Sequence, residues 1–163
     1  MATSKGSGSG DGTKLVVGNR RARYDYHLDD RFEAGIQLVG TEVKSLRDGK
    51  GSLVEAWVKI DDRGEAWLMQ CHIPEYEFGN INNHDPVRPR KLLLHRSELD
   101  RLAKETREQG VSMIPTRIYF KGGRAKLEFA IARGKNVADK RSDLKAKDAK
   151  REIDRALKSR RHA

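Results

Sequence analysis

Apolar and polar positions along the chain change period several times, and each change predicts an element. Residues 32–39, FEAGIQLV, alternate near their end and stop at Gly40, which predicts a strand. Residues 52–60, SLVEAWVKI, are β-branched and aromatic. The turn Asp61-Asp62-Arg63-Gly64 follows, and residues 65–70 return, so the stretch reads as a hairpin. A second hairpin joins residues 117–120 to residues 126–131 through Lys121-Gly122-Gly123-Arg124. The Gly-Gly pair supplies the positive φ angles that a tight hairpin turn demands. Between the hairpins, residues 80–89 (NINNHDPVRP) read as a loop, and Arg90 to Leu94 form a short apolar run.

Helical spacing appears in two places inside this region. Residues 97–108 place Leu99, Leu102, Ala103 and Thr106 on one face, with Ser97 as a cap and Gly110 as a stop. The stretch GTEVKSLRDGK, residues 40–50, puts Val43 and Leu46 at i and i+3 for packing. Thr41 is the expected cap, and Glu42 lies in the first turn, where a negative charge favours the helix dipole. Lys44, Arg47 and Lys50 run down another side. Like charges at this spacing repel by a few tenths of a kcal/mol or so, so the stripe suits an external anion or a solvated face. Short strands with isolated helices, rather than alternating βαβ units, predict a mainly β fold: an antiparallel barrel of the OB type with about three α-helices.

The ends differ from the middle. Residues 1–13 are Gly/Ser-rich and have nothing to bury, so they read as a flexible tail. Residues 14–133 form the barrel. Residues 134–163 form a basic tail. From Arg133 onward there are twelve Lys/Arg against five acids and no aromatic residue, which accounts for most of the net charge of +10. Such a segment builds no core of its own. Ala146, Ala149, Ile153, Ala156 and Leu157 recur at helical spacing, which predicts a tail disordered alone and helical on a partner.

Composition narrows the function. A pI near 9.9 and a mean hydropathy of −0.80 suggest a polyanionic partner, nucleic acid first. Three further stretches fit that partner. Arg20, Arg21 and Arg23 follow Asn19 and suit a phosphate clamp, or a charged lead into the domain. Arg88, Arg90 and Lys91 form another cluster, beside a loop with Asn80, Asn82, Asn83 and His84 that suits base recognition or ordinary turns.

Chemistry of other kinds finds little. The single cysteine, Cys71, allows no intrachain disulfide. Cys71-His72 and His84-Asp85 are adjacent pairs, which point to opposite faces of a strand and chelate poorly. There is no CxxC, HExxH or GxxxxGK[ST] motif, so neither a metal, a cofactor nor an enzymatic activity is expected. No apolar run approaches the roughly 20 residues that span a bilayer, and no secretory leader is evident, so a cytoplasmic, non-membrane protein is expected.

Longer stretches carry a resemblance. NRRARYDY, FEAGIQLVGTEVKSLRDGK, HIPEY, NHDPVRPRKLLLHRSELDRL, IYFKGGRAKLEFAIARGK and DKRSDLKAKDAKREIDRAL occur in order over about residues 19–157. The chain thereby resembles the bacterial SsrA-binding (small protein B) family. The resemblance implies an OB-like barrel with a long basic tail and no enzymatic activity. It implies binding to the tRNA-like domain of transfer-messenger RNA, with alanyl-tRNA synthetase and elongation factor Tu as further partners. It implies delivery of that RNA to stalled ribosomes for trans-translation, the tail entering the decoding centre and messenger channel. The positions that match the family's RNA contacts are Asn19, Glu33, Leu93 and His95, the last Asn in some members. The tail match carries Arg133, Lys135, Asp139, Lys140 and Arg141, with Ile153 and Leu157 on the helix face. Ala138 departs from the His or aromatic residue usual there, and Ala149 from a Trp found in some members. Lys44, Arg47 and Lys50 join the basic RNA-facing surface by inference from charge. A general ribosome-binding or ribosomal RNA-binding protein on the same barrel is the alternative.

Overall fold

The computed structural model describes residues 12–79 and 81–161. Most of the Gly/Ser-rich segment 1–13, and Asn80 of the expected recognition loop, lie outside them. In chain order the elements are β1 (Thr13–Gly18), α1 (Arg20–Asp25), β2 (Tyr26–Ile36), α2 (Gly40–Arg47), β3 (Trp57–Ile60), β4 (Ala66–Met69), β5 (Arg90–Leu93), α3 (Arg96–Glu105), β6 (Val111–Lys121), β7 (Arg124–Gly134) and α4 (Val137–Arg161). All strand pairings are antiparallel.

The pairings form a closed circuit. β6 pairs with β3, β3 with β4, β4 with β5, β5 with β2, β2 with β7, and β7 returns to β6; β1 extends the second edge of β6. Closure removes most free sheet edge and leaves one inner face to fill. Phe32, Ala34, Val58, Leu68, Leu92, Ile118, Leu127 and Phe129 fill it, all buried, with Phe32 and Phe129 stacked at 5.7 Å. Leu46 of α2 and Leu102 of α3 are completely buried and join the same core, so these two helices are packed as part of the barrel.

Both expected hairpins form. At the β6–β7 turn Gly122 has φ +58° and Gly123 φ +76°, the paired positive angles of a two-residue hairpin. At the β3–β4 turn Gly64 has φ +79°, and the Asp61 carboxylate accepts from the Arg63 and Glu65 N–H groups and from Trp67 Nε1 (2.8 Å).

Several expectations need correction. The chain enters the sheet at β1, earlier than the strand expected at 32–39, and that strand begins at Tyr26. Residues 19–23 are no simple lead-in. They belong to α1, with Asn19 at its N-cap accepting from the Ala22 N–H (3.2 Å). α2 ends at Arg47, so Lys50 sits beyond the Gly49 turn (φ +76°) and off the helix. Thr41 does not cap α2. Glu42 does, its carboxylate accepting from the Val39 N–H at 3.0 Å, while the Thr41 hydroxyl lies 2.8 Å from His84 Nδ1. α3 begins at Arg96 with His95 at the cap position, one residue ahead of the expected start, and ends at Glu105.

Candidate nucleic-acid interface

Strand alternation on β2 sends Phe32 and Ala34 inward and Glu33 outward. The same rule on β5 buries Leu92 and leaves Leu93 more than half exposed (56%). β2 and β5 are neighbours, with Gly35 opposite Leu93. Gly35 has no side chain, so Leu93 lies across it; a Cβ there would stand 3.4 Å from the Leu93 Cβ. The chain then turns into α3 at exposed His95. The outcome is one open groove lined by Glu33, Leu93 and His95, with Lys91, Arg31 and Lys126 around them. An exposed leucine beside a carboxylate, an imidazole and cations offers an apolar seat for an unstacked base, acceptors and donors for its edge, and charge for phosphate.

Glu33 is held in position. It accepts a hydrogen bond from the Tyr119 hydroxyl and lies 3.8 Å from Lys121 Nζ. Burial and the Glu33 carboxylate push the Tyr119 phenol well above its ordinary pKa, so it remains a donor at neutral pH. Opposite Glu33 on β7 stands Glu128. Two carboxylates directly across a ladder repel. Here each has its own partners, Arg117 (3.0 Å) and Arg31 (3.8 Å) serving Glu128. Tyr119 went unnoticed in the sequence because the β2–β7–β6 register that places it by Glu33 joins residues 86 apart.

Lys91 apart, the remaining basic stretches do not enter this groove. Lys44 is exposed over the Tyr76 ring (5.6 Å) and borders a separate hollow with Asn82, Asn83 and His84. Arg47 and Lys50 are exposed on and just past α2. Arg20 is exposed on α1, and Arg21 pairs with Asp25 at 3.2 Å. Lys91 is half exposed and 3.2 Å from Glu65.

The packing corrects one expected RNA contact and engages another within the fold. Arg90 is fully buried. Its Nε meets the Glu42 carboxylate, and its other nitrogens donate to the carbonyls of Cys71 (2.7 Å) and Pro86 (3.1 Å). A guanidinium with all its polar edges satisfied inside the protein has none left for phosphate. Glu42 is equally buried and also accepts from Arg88 Nε (3.1 Å). Burial pushes its carboxyl up, but the two guanidiniums and the Val39 N–H outweigh that and hold it below its ordinary value. Asn19 is likewise committed. Besides capping α1, its amide donates to the carbonyls of Pro115 (2.9 Å) and Leu53 (3.3 Å).

The loop polar residues are mostly structural as well. Asn83 clamps Tyr76 by two hydrogen bonds, and buried His84 donates Nε2 to the Ile73 carbonyl (2.8 Å). Cys71 is buried while His72 is exposed, and burial pushes the Cys71 thiol up to about 11. Among the described residues no group of three His, Cys, Asp or Glu could hold a metal ion. No described helix is long and apolar enough to cross a membrane.

The tail begins with a local lock. The Asn136 side chain accepts from the Asp139 N–H (2.8 Å), and the Asp139 carboxylate accepts from the Asn136 N–H (3.4 Å), a reciprocal cap that starts α4. Arg133 lies near Glu108 (3.4 Å) and Asp29 (3.9 Å). Asp139 and Lys140 face the barrel, whereas every residue from Arg141 to Arg161 is exposed, Ile153 and Leu157 included. At a rise of 1.5 Å per residue, α4 extends ~37 Å.

Comparison with known proteins gives a consistent result. The family described as SmpB protein matches residues 16–159. An SsrA-binding protein of Thermobifida fusca is 53% identical over 161 residues, covering 99% of this chain and all of the relative. One from Acidothermus cellulolyticus is 55% identical over 146 residues, covering 90% and 91%. A chain from a solved structure described as "tmRNA-SmpB: a journey to the center of the bacterial ribosome" superposes with a TM-score of 0.64 at 46% identity, over 76% of this chain and 86% of its own.

Proposed function

The chain belongs to the SmpB family, and we propose that it binds the tRNA-like domain of transfer-messenger RNA and delivers it to stalled ribosomes for trans-translation. Family membership over nearly the whole chain supports this reading, and the observation that carries it to named residues is the groove at β2 and β5. There an exposed Leu93, the outward Glu33 and His95 stand together with Lys91. In this reading Leu93 supports an unstacked base, Glu33 and His95 hydrogen-bond to base edges or ribose hydroxyls, and Lys91 meets a phosphate. Arg20, Lys44, Arg47 and Lys50 add sequence-independent phosphate contacts around the barrel. Asn19 and Arg90 serve from behind, the first by fixing α1 and the second by fixing β5 to α2.

The domain division follows: a Gly/Ser-rich lead, a barrel over 14–133 that reads RNA, and a tail over 134–163 for the ribosome. Arg141, Ile153 and Leu157 have no barrel partner in the interactions described and are free to meet the decoding centre and messenger channel, where the distal tail gains its final order. Elongation factor Tu is the carrier of the complex, and alanyl-tRNA synthetase acts on the RNA it holds, both in the cytoplasm.

The test is competition at physiological salt, with labelled tRNA-like domain displaced by unlabelled bulk tRNA. A dedicated factor needs a large excess of tRNA for displacement. Equal competition would instead support a general ribosome-binding protein that reads only charge and shape. RNA affinity should also fall with salt, by about 0.7 in log–log slope per phosphate neutralised on a single strand.

A further inference from the structure

Alternation along β6 sends Ile118 and Phe120 into the core and Tyr119 to the outer face of the sheet. Tyr119 is nonetheless only 4% exposed. Leu15 of β1 and Lys126 of β7 stand opposite it in the ladder, and the Arg117 guanidinium lies 5.0 Å from the centre of its ring. Arg117 is itself held by Glu128 at 3.0 Å. The Tyr119 hydroxyl donates to Glu33 Oε2, and Lys121 Nζ lies 3.8 Å from the same oxygen. Among the described residues Glu33 Oε1 has no such partner.

A buried hydroxyl needs an acceptor, and for stability of the fold alone any nearby one would serve. The acceptor here is the carboxylate of the groove, and its two oxygens are divided: one meets the protein's own donors and the other is free. A carboxylate only accepts, so Oε1 is left for an N–H or O–H of the RNA. A glutamate on an exposed strand otherwise samples several rotamers, and ordering it during binding weakens affinity. Gly35, with Leu93 across it, is two residues along β2 and on the same face. At the strand rise that is about 7 Å from Glu33, close enough for Oε1 to meet the edge of a base seated on Leu93.

We infer that Tyr119 is a positioning residue of the groove: it touches no RNA, and by holding Glu33 Oε2 it presents Oε1, already ordered, to a hydrogen-bond donor on the RNA. This rests on the reading that the groove binds the tRNA-like domain. Burial and the Glu33 carboxylate raise the phenol well above its ordinary pKa, so the hydroxyl keeps its proton throughout the neutral range. Three strands share the arrangement. β6 supplies the hydroxyl, β2 the carboxylate and β5 the apolar seat. Affinity that comes from an ordered acceptor is lost when the hydroxyl is removed, even though the carboxylate remains.

The experiment uses the full-length chain and the tRNA-like domain of transfer-messenger RNA. Tyr119→Phe removes the hydroxyl and keeps the ring. It should weaken binding by about three- to tenfold, the effect of one side chain ordered during binding instead of beforehand. Glu33→Ala should weaken it at least as much. Adding Tyr119→Phe to Glu33→Ala should change nothing further, because the two act through one acceptor. A merely structural role, or partial unfolding of the Phe variant, would weaken both backgrounds alike. NMR of the free chain gives a second readout: the side-chain couplings of Glu33 should report one rotamer in the parent and an average in Tyr119→Phe. Full affinity in Tyr119→Phe, an equal loss in both backgrounds, or an averaged Glu33 in the parent overturns the positioning role. If Glu33→Ala binds at full strength, the groove reading itself falls and takes the role with it. If Glu33→Ala loses affinity and Tyr119→Phe does not, the groove stands and only the positioning fails.

Discussion

In the barrel, Arg88 and Arg90 both pair with Glu42, and Glu42 and Arg90 are fully buried. In α4, every residue from Arg141 to Arg161 is exposed. Both regions are dense in charge, and the barrel's cluster looks in sequence as suited to RNA as the tail does. The physical consequences are opposite. A buried carboxylate with two guanidiniums fixes a helix start, a loop and a strand, and it cannot exchange partners without leaving a charge in apolar surroundings. An exposed lysine on α4 is screened and free to meet any anion. What separates the two is packing, since neighbouring Arg90 and Lys91 fall on different sides of the divide: the first buried, the second half exposed beside the groove.

The sharpest way to break this comparison is to remove one buried partner. Glu42→Gln or Arg90→Ala should cost about 3–5 kcal/mol of stability, read as a lower urea midpoint. Lys91→Ala, one residue away, should leave the midpoint within about 0.5 kcal/mol. Equal effects at 90 and 91 would mean that the cluster is not a buried unit.

The next effect is on binding alone. Leu93→Asp should weaken binding of the tRNA-like domain by about 1–3 kcal/mol, the order of covering one leucine side chain, with no loss of urea midpoint because Leu93 is exposed. Full affinity in that variant would remove the groove from the interface.

Smaller still is the tail's effect on the fold. Lys150→Ala with Arg151→Ala should shift stability by no more than about 0.5 kcal/mol, while truncation after Gly134 should spare RNA binding and abolish tagging. Tagging by the truncated chain would contradict the division between barrel and tail.

The finest test is a titration. Lys140, with help from Arg21 and against some burial, holds the Asp25 carboxyl below its ordinary value of 3.8. A lowered carboxyl contributes stability that is present above the ordinary value and is lost as pH falls through the lowered one. The Asp25 carboxyl carbon, followed by NMR, should therefore titrate below 3.8 in the parent chain and move up in Lys140→Ala.

Much was legible because it depends on neighbours in sequence. Gly122-Gly123 dictated its turn, alternation marked a strand at β2, and Val43 and Leu46 marked the packed side of α2. The long stretches such as GTEVKSLR and RKLLLH carried the family. The site was legible only in part. Glu33, Leu93 and His95 were named through resemblance, since an outward glutamate and a leucine in a strand look ordinary by themselves. Arg90 was misplaced, and the structural role of Asn19 went unseen, because nothing local reveals that Glu42 closes on the first and Pro115 and Leu53 on the second. α1 was missed because its six residues are short and half arginine, with Asn19 as its clearest helix signal.

By itself, then, the sequence determined the two hairpins with their turns, the antiparallel class, the basic balance that suits a polyanionic partner, and the family. These follow from periodicity, backbone preference and charge, all of which act over a few residues or over the whole sum. Only the tertiary structure decided which arginine is buried, that Leu93 lies bare across Gly35, that Tyr119 holds Glu33, and that Asp25 receives Lys140. Each of those contacts joins residues far apart in the chain. Their partners are chosen by barrel closure and strand register, which no local pattern encodes.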